Sequence, residues 1–254
     1  LLRRSNRLLA TTPAGKRLLP LARRMLALHD ETLATMAQVD EATAAITIGA
    51  NESVATYLLP RHIAALRDRR PGRRFQVVTG TCAEIRHGVR DGDLDVGLVL
   101  EPSHAKSAGL VTTALLVLAG ARHPLASRPA SAALLARQTF HLSDVAGSFH
   151  QLLHRYFRDA GLPAPKMEAV GSVEAVKRTI LAGEYLGVLP AFAVSDELAS
   201  GAIAAVTVRP PLPPIVLTAV HPAKRRVPPA TRDLLQLLGT AESPVPSSVR
   251  KETR

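Results

Sequence analysis

The chain has a single cysteine, Cys82, in 254 residues. That excludes an intramolecular disulfide framework and fits a reducing compartment. It also lacks any apolar run of the roughly 18 residues that a membrane span requires. The N-terminal stretch LLRRSNRLLATTPAG is basic but holds no long apolar segment followed by a cleavage site, so it does not read as a secretory signal. Together these absences predict a cytoplasmic protein without a membrane partner. There is no Gly-x-Ser-x-Gly elbow, phosphate loop or cysteine pair. Catalysis therefore has little support, and no cofactor or metal is implied. The chain opens on Leu1 rather than Met, which leaves a fragment of a longer protein as an open reading.

Acid is missing altogether from residues 1–26, which hold Arg3, Arg4, Arg7, Lys16, Arg17, Arg23 and Arg24. The whole chain is +11, so the rest of it is nearly balanced. A basic end on a balanced body suits a polyanion such as nucleic acid. A solvated helix face would carry the same charges. Hydrophobic content is 46% and charged content 21%, which is ordinary for a globular chain and argues against disorder throughout.

Residues 13–39 predict one long helix. Thr12 suits the N-cap and Pro13 the first helical position. Leu18, Leu19, Ala22, Met25, Leu26, Leu33 and Met36 recur near helical spacing. A helix of about 27 residues would be about 40 Å long, a length that suggests a partner helix. Pro20 is expected to kink it. From residue 46 the pattern alternates. Strands are expected at 46–50, 74–79, 94–100, 139–143, 166–170, 186–190, 202–208 and 215–220. Helices are expected at 53–69, 82–90, 130–136, 147–160, 172–182, 191–199 and 228–239, and 110–120 is a further apolar run. Strands rich in Val, Ile and Leu without alternation imply parallel sheets covered on both faces. So many βα units imply two subdomains sharing crossing strands. The tail 241–254 is expected to be disordered.

Several stretches then resemble LysR-type transcriptional regulators. LLRRSNRLLATTPAGKRLL resembles the end of that family's winged helix-turn-helix domain, where an F-x-R wing entry and an L-T-x-A-G segment lead into a linker helix. Thr12, Ala14 and Gly15 match the latter segment, and Ala10-Thr11 depart from it. ITIGANESVATYLLPRHIAALRDRRPG resembles the opening of the effector-binding domain through Ile48, Gly49, Leu59, Pro60, Leu66 and Pro71. Val89 to Gly97, His123-Pro124-Leu125-Ala126, Ala182-Gly183 and Leu189-Pro190 follow in the family's order. The resemblance implies an α/β fold of two Rossmann-like subdomains, like type II periplasmic binding proteins, preceded by a long linker helix.

In detail it implies a wing remnant at 1–12, a dimerisation helix at 13–39 and an effector-binding domain at 46–240. Subdomain I would be 46–113 with 214–240, and subdomain II 114–213, with crossings near 110–116 and 212–217. It further implies a small-molecule effector, a homodimer or homotetramer, and DNA and RNA polymerase as partners of the intact regulator. The family's DNA-reading helix lies upstream of the F-x-R segment. Residues 1–12 alone are therefore expected to offer phosphate contacts from Arg3, Arg4 and Arg7 rather than to read bases. A solute-binding protein of the same fold is the alternative.

Ligands of open α/β sheets sit at the carboxyl ends of strands, against helix N-termini. Ser53 and Thr81 stand there and match positions where the family places effector-contacting hydroxyls; simple N-capping is the competing role. Asn51 and Glu52 share the first of these helix starts. Ser143 and Ser172 are the subdomain II candidates, and residues 144–148 would line the same mouth. Glu52 would repel an anionic effector, so either it points away, the slightly favoured reading, or the effector carries an amine or is neutral. His150 and His154, one turn apart, lack a third ligand for a metal and read as surface histidines. Cys82 reads as structural, and Tyr185 as a packing residue.

Overall fold

The computed structural model describes residues 2–5, 8–40, 45–103, 109–143, 147–222 and 227–240. Arg7, residues 144–146 and the tail 241–254 lie outside the described residues. The chain divides into two compact units, one of residues 1–45 with 72–74 and one of residues 46–71 with 75–254.

In the first unit, β1 (Leu2–Ser5) and β2 (Leu8–Thr11) form an antiparallel hairpin, with Arg3 opposite Ala10 and Arg4 opposite Leu9. Helix α1 (Pro13–Asp40) follows. Thr12 Oγ1 accepts the Gly15 N–H at 3.1 Å and caps it. The helix runs continuously through Pro20, since one missing backbone bond does not end 28 residues of helix. Leu18, Leu21, Met25 and Leu28, spaced three and four apart along one face, are all exposed.

The second unit begins with β3 (Ile46–Ala50), then one continuous helix, together called α2, that opens at Glu52, passes through a π turn (Val54–Leu58) and runs on as Leu59–Arg69. Next come β4 (Phe75–Thr79), α3 (Cys82–Asp91), β5 (Val96–Pro102) and β6 (Val111–Thr113). The chain then enters β7 (Leu115–Gly120), β8 (Ala130–Ser131), α4 (Ala132–Leu135), β9 (Thr139–Leu142) and α5 (Ser148–Asp159). It continues through β10 (Lys166–Ala169), α6 (Val173–Ala182), β11 (Leu186–Pro190) and α7 (Ser195–Ala199). The last elements are β12 (Ile203–Ala205), β13 (Val208–Arg209), β14 (Ile215–Val220) and α8 (Pro229–Gly239).

Two five-stranded sheets result, in the orders β4-β3-β5-β14-β6 and β10-β9-β11-β7-β12. They are mixed rather than parallel as expected. β14 runs antiparallel to β5 and β6, and β7 antiparallel to β11 and β12. The chain passes between the sheets at Ala114 and again at 210–214, and a strand that returns from the other sheet enters in the opposite sense. Covered faces were also expected throughout, but β4 lies at an edge and Val77 and Val78 are exposed. The apolar run 110–120 is split at Ala114 between the two sheets. The expected strand 202–208 divides into β12 and β13, which belong to different sheets. The expected helix 191–199 is a 3-10 turn and α7, separated at Val194, whose φ of −132° is not helical.

Buried Ile48, Leu98, Leu118, Phe140 and Leu189 lie on the central strands. Helix α6 packs tightly on the second sheet because Gly187 has no side chain. A Cβ there would meet Ile180 Cδ1 at 2.4 Å and Val176 Cγ1 at 2.8 Å. That approach carries the N-terminus of α6 to the end of the sheet where the site forms.

Candidate functional site

Parallel pairing of β3 with β4 and β5 brings the ends of β3 and β4, Ala50 and Thr79, beside Leu98 in the body of β5. Asn51 ties them. Its Nδ2 donates to Gly80 O at 3.1 Å, and its Oδ1 accepts the Leu100 N–H at 2.8 Å. The Cys82 thiol donates to the same Oδ1 at 3.6 Å and to Leu100 O at 3.5 Å. Burial pushes that thiol up from its ordinary value. Cys82 is thus a packed donor rather than a reactive thiolate.

Beside this knot lies a cavity of about 410 Å³. One wall comes from the starts of α2 and α3, and the other from Leu142, Ser143, Gly147, Ser148, His150 and Gly171. The two sheets thus face each other across it. The Ser148 hydroxyl donates across the gap to Leu100 O at 3.0 Å.

The two expected hydroxyls differ in state. Ser53 is only 4% exposed, lies in helical backbone and makes no side-chain cap. It lines the cavity, and its hydroxyl has no hydrogen-bond partner among the described residues. Capping is therefore not its role. Thr81 does cap. Its Oγ1 accepts the Glu84 N–H at 3.3 Å and donates to Glu84 Oε2 at 2.9 Å, while Glu84 Oε2 also accepts the Thr81 N–H at 2.8 Å. These bonds hold the Glu84 carboxyl below its ordinary value. The hydroxyl proton of Thr81 is already spent on a carboxylate of its own chain.

Glu52 does not point away. It lines the cavity, and its Oε1 accepts the Val173 N–H at 3.0 Å. A carboxylate from the first sheet's helix thus sits on the N-terminus of α6, where the helix dipole favours it. Ser172 caps the same helix by accepting the Ala175 N–H at 3.0 Å, and it stands outside the cavity lining. Further contacts join the same two elements. Tyr57 Oη donates to Glu174 Oε2 at 3.4 Å. Lys177, buried to 4% exposure, holds its Nζ 4.1 Å above the Tyr57 ring and 2.8 Å from Glu197 Oε1.

The structure therefore gathers Asn51, Glu52, Ser53, Thr81 and Ser143 around one cavity and leaves Ser172 beside it. Residues 144–146 of the expected mouth are outside the described residues; Gly147 and Ser148 line it. The side chains of Arg3 and Arg4 and all of Arg7 are likewise outside. His150 is half-buried at the cavity, and its Nε2 lies 3.2 Å from that of exposed His154. Glu84 and His150 went unnamed as lining residues. Both fall in the first turn of a helix that follows a strand end, which is the signal that could have found them. Tyr185 stacks on His141 with ring centroids 3.9 Å apart. A larger groove of about 980 Å³ along β7, β12 and β13 is mostly apolar and holds Arg209 as its one charged lining residue among those described.

Residues 40–242 match the family model described as the LysR substrate binding domain. The chain belongs to the LysR family. The Bacillus subtilis regulator YwqM, an uncharacterised HTH-type transcriptional regulator, is 30% identical over 207 residues, which is 79% of this chain and 70% of that protein. The HTH-type transcriptional regulator CbbR of Xanthobacter flavus is 30% identical over 241 residues, 91% of this chain and 71% of that one. Among solved structures, a full-length OxyR from Pseudomonas aeruginosa matches with TM-score 0.67 and 22% identity, covering 93% of this chain and 83% of its own. The regulatory domain of CcmR from Synechocystis, solved with 2-PG, matches with TM-score 0.67 and 18% identity, covering 82% and 98%. The last two show the fold. This chain is the effector-sensing part of a LysR-type transcriptional regulator, and its relatives are regulators rather than enzymes or solute-binding proteins. LysR-type regulators bind small-molecule effectors and DNA and form oligomers. Among the described residues no helix is long and apolar enough to cross a membrane, and no three-residue metal cluster exists.

Proposed function

We propose that the effector binds in the cavity between the two sheets, against Ser53, and that it changes the angle between the two subdomains. The observation that carries this is Ser53, a residue only 4% exposed whose hydroxyl lines a 410 Å³ space and has no hydrogen-bond partner among the described residues. A ligand that hydrogen-bonds to it gains about 0.5–1.5 kcal/mol net, and more if the ligand group is charged. The orphan amides of the first turn of α2 lie beside it, because the side chain of Asn51, which stands where a cap would, is committed to Gly80 and Leu100. Asn51 is then a positioning residue, Thr81 a minor contact, and Ser143 a contact from the opposite wall. Ser172 acts through α6.

The subdomains in this reading are 46–113 with 214–240, and 114–213. Helix α1 would be the linker that pairs with a second copy, in a dimer or tetramer. The hairpin would be the end of a DNA-binding wing whose Arg3, Arg4 and Arg7 touch phosphate, with RNA polymerase engaged by the whole regulator in the cytoplasm. A change of subdomain angle alters assembly only if the effector binds the two arrangements with different affinity. Calorimetry with a thermal-shift hit tests the site. Ser53→Ala should weaken binding about tenfold, or about 1.4 kcal/mol; unchanged affinity would move the site elsewhere.

A further inference from the structure

We propose that the effector of this cavity is an amine-bearing small molecule, an amino acid or similar zwitterion, whose ammonium group is received by Glu52. The proposal rests on the cavity being the effector site and names the ligand class.

The chain is strongly basic, at +11, yet the described lining of the cavity contains Glu52 and Glu84 and no lysine or arginine. Several helix starts converge there, and helix starts attract anions. Two of them are already served by carboxylates of the chain itself. Glu52 Oε1 lies on the Val173 N–H at the start of α6, and Glu84 Oε2 on the Thr81 N–H at the start of α3. A ligand with two anionic ends would have to displace one of these carboxylates or lie beside both, where like charges repel.

The remaining vacancies have a different character. The start of α2 has orphan amides and the unpartnered Ser53 hydroxyl, a place for one carboxylate or another single anionic group. Glu52 spends Oε1 on Val173 and has no partner for Oε2 among the described residues. That oxygen is a place for a donor bearing positive charge. Glu52 and Ser53 are adjacent in sequence and both line the cavity, so the anionic and cationic subsites are neighbours, as the carboxylate and ammonium of an α-amino acid are. The volume, about 410 Å³, lies within the range of small-ligand pockets. Glu52 in this arrangement has two tasks. It selects the amine, and it joins the two walls through Val173, so ligand charge and cleft geometry meet on one side chain.

The test is a thermal-shift panel on the full chain with the twenty L-amino acids, putrescine, and amine-free acids of matched size, including lactate, pyruvate, succinate and inorganic phosphate. The best binder is then titrated by calorimetry into the parent chain, Glu52→Gln and Ser53→Ala. Glutamine keeps an oxygen for the Val173 N–H and removes the charge, and circular dichroism checks that each variant folds. At least one amine-bearing compound should bind saturably, about tenfold or more weaker in Glu52→Gln, with its amine-free analogue weaker by a similar factor. Binding by amine-free acids that tightens in Glu52→Gln while still needing Ser53 overturns the amine and leaves the cavity assignment standing. A binder indifferent to both substitutions overturns the cavity assignment itself. Absence of any hit among the amine-bearing compounds also overturns the proposal.

Discussion

Asn51 Oδ1 accepts the backbone N–H of Leu100 at 2.8 Å, while Nδ2 of the same amide holds Gly80 O at 3.1 Å. One side chain therefore ties the ends of β3 and β4 to β5. Asn51→Ala should leave the Leu100 amide and the Gly80 carbonyl short of a partner, at roughly 2–4 kcal/mol for two such groups. Thermal unfolding should show this as a drop in Tm of several degrees. A Tm within a degree of the parent would mean that water replaces the amide at no cost.

Ser53 and Thr81 should separate. Ser53 makes no cap and sits in helical backbone, so Ser53→Ala should leave stability unchanged or slightly raised while effector affinity falls. Thr81→Val removes a capping box and should lose about 1 kcal/mol of stability with a smaller effect on affinity. Paired calorimetry and thermal melts read both quantities. The reverse ranking would make Thr81 the ligand contact.

Burial holds His62 below the ordinary imidazole value, opposed by its hydrogen bond to Leu58 O, and burial with the Arg128 charge does the same for His123. With the folded pKa below the unfolded one, the unfolded chain takes up protons first as pH falls. The stabilisation is whole above the unfolded value of about 6.5 and is lost as pH falls below it, levelling off beneath the folded values. Stability should therefore begin to decline as pH falls through about 6.5, above the range in which carboxylates titrate. His62→Gln should flatten that slope in melts taken on either side of that pH, and an unaltered slope would assign it to other groups.

Leu18, Leu21, Met25 and Leu28 form an exposed stripe on α1 at three- and four-residue spacing, the pattern of a coiled-coil seam. Leu21→Glu with Met25→Glu should weaken self-association without lowering the helix content of the chain. Light scattering across a concentration series measures it. An identical mass distribution in parent and variant would show that α1 does not mediate assembly.

The sequence by itself determined most of the elements and gave the expectation of a ligand at the carboxyl ends of the strands. Continuous apolar runs such as Leu115–Gly120 and Leu186–Pro190 are legible because burial on both faces leaves only apolar residues, and strand ends followed by Ser53 or Thr81 point to helix starts. Local pattern could not distinguish what each polar side chain does there, since Asn51, Ser53 and Thr81 look equivalent along the chain. Only the tertiary structure spent Asn51 on Gly80 and Leu100, spent Thr81 on Glu84, and left the Ser53 hydroxyl without a partner. It also turned Glu52 across the cleft onto Val173, 121 residues away in sequence. The mixed strand order and the divided runs at Ala114 and after Ala205 were hidden for the same reason. Hydrophobicity records that a residue is buried. Direction, pairing and hydrogen-bond partner depend on which segments meet in space, and that is fixed only when the two sheets pack.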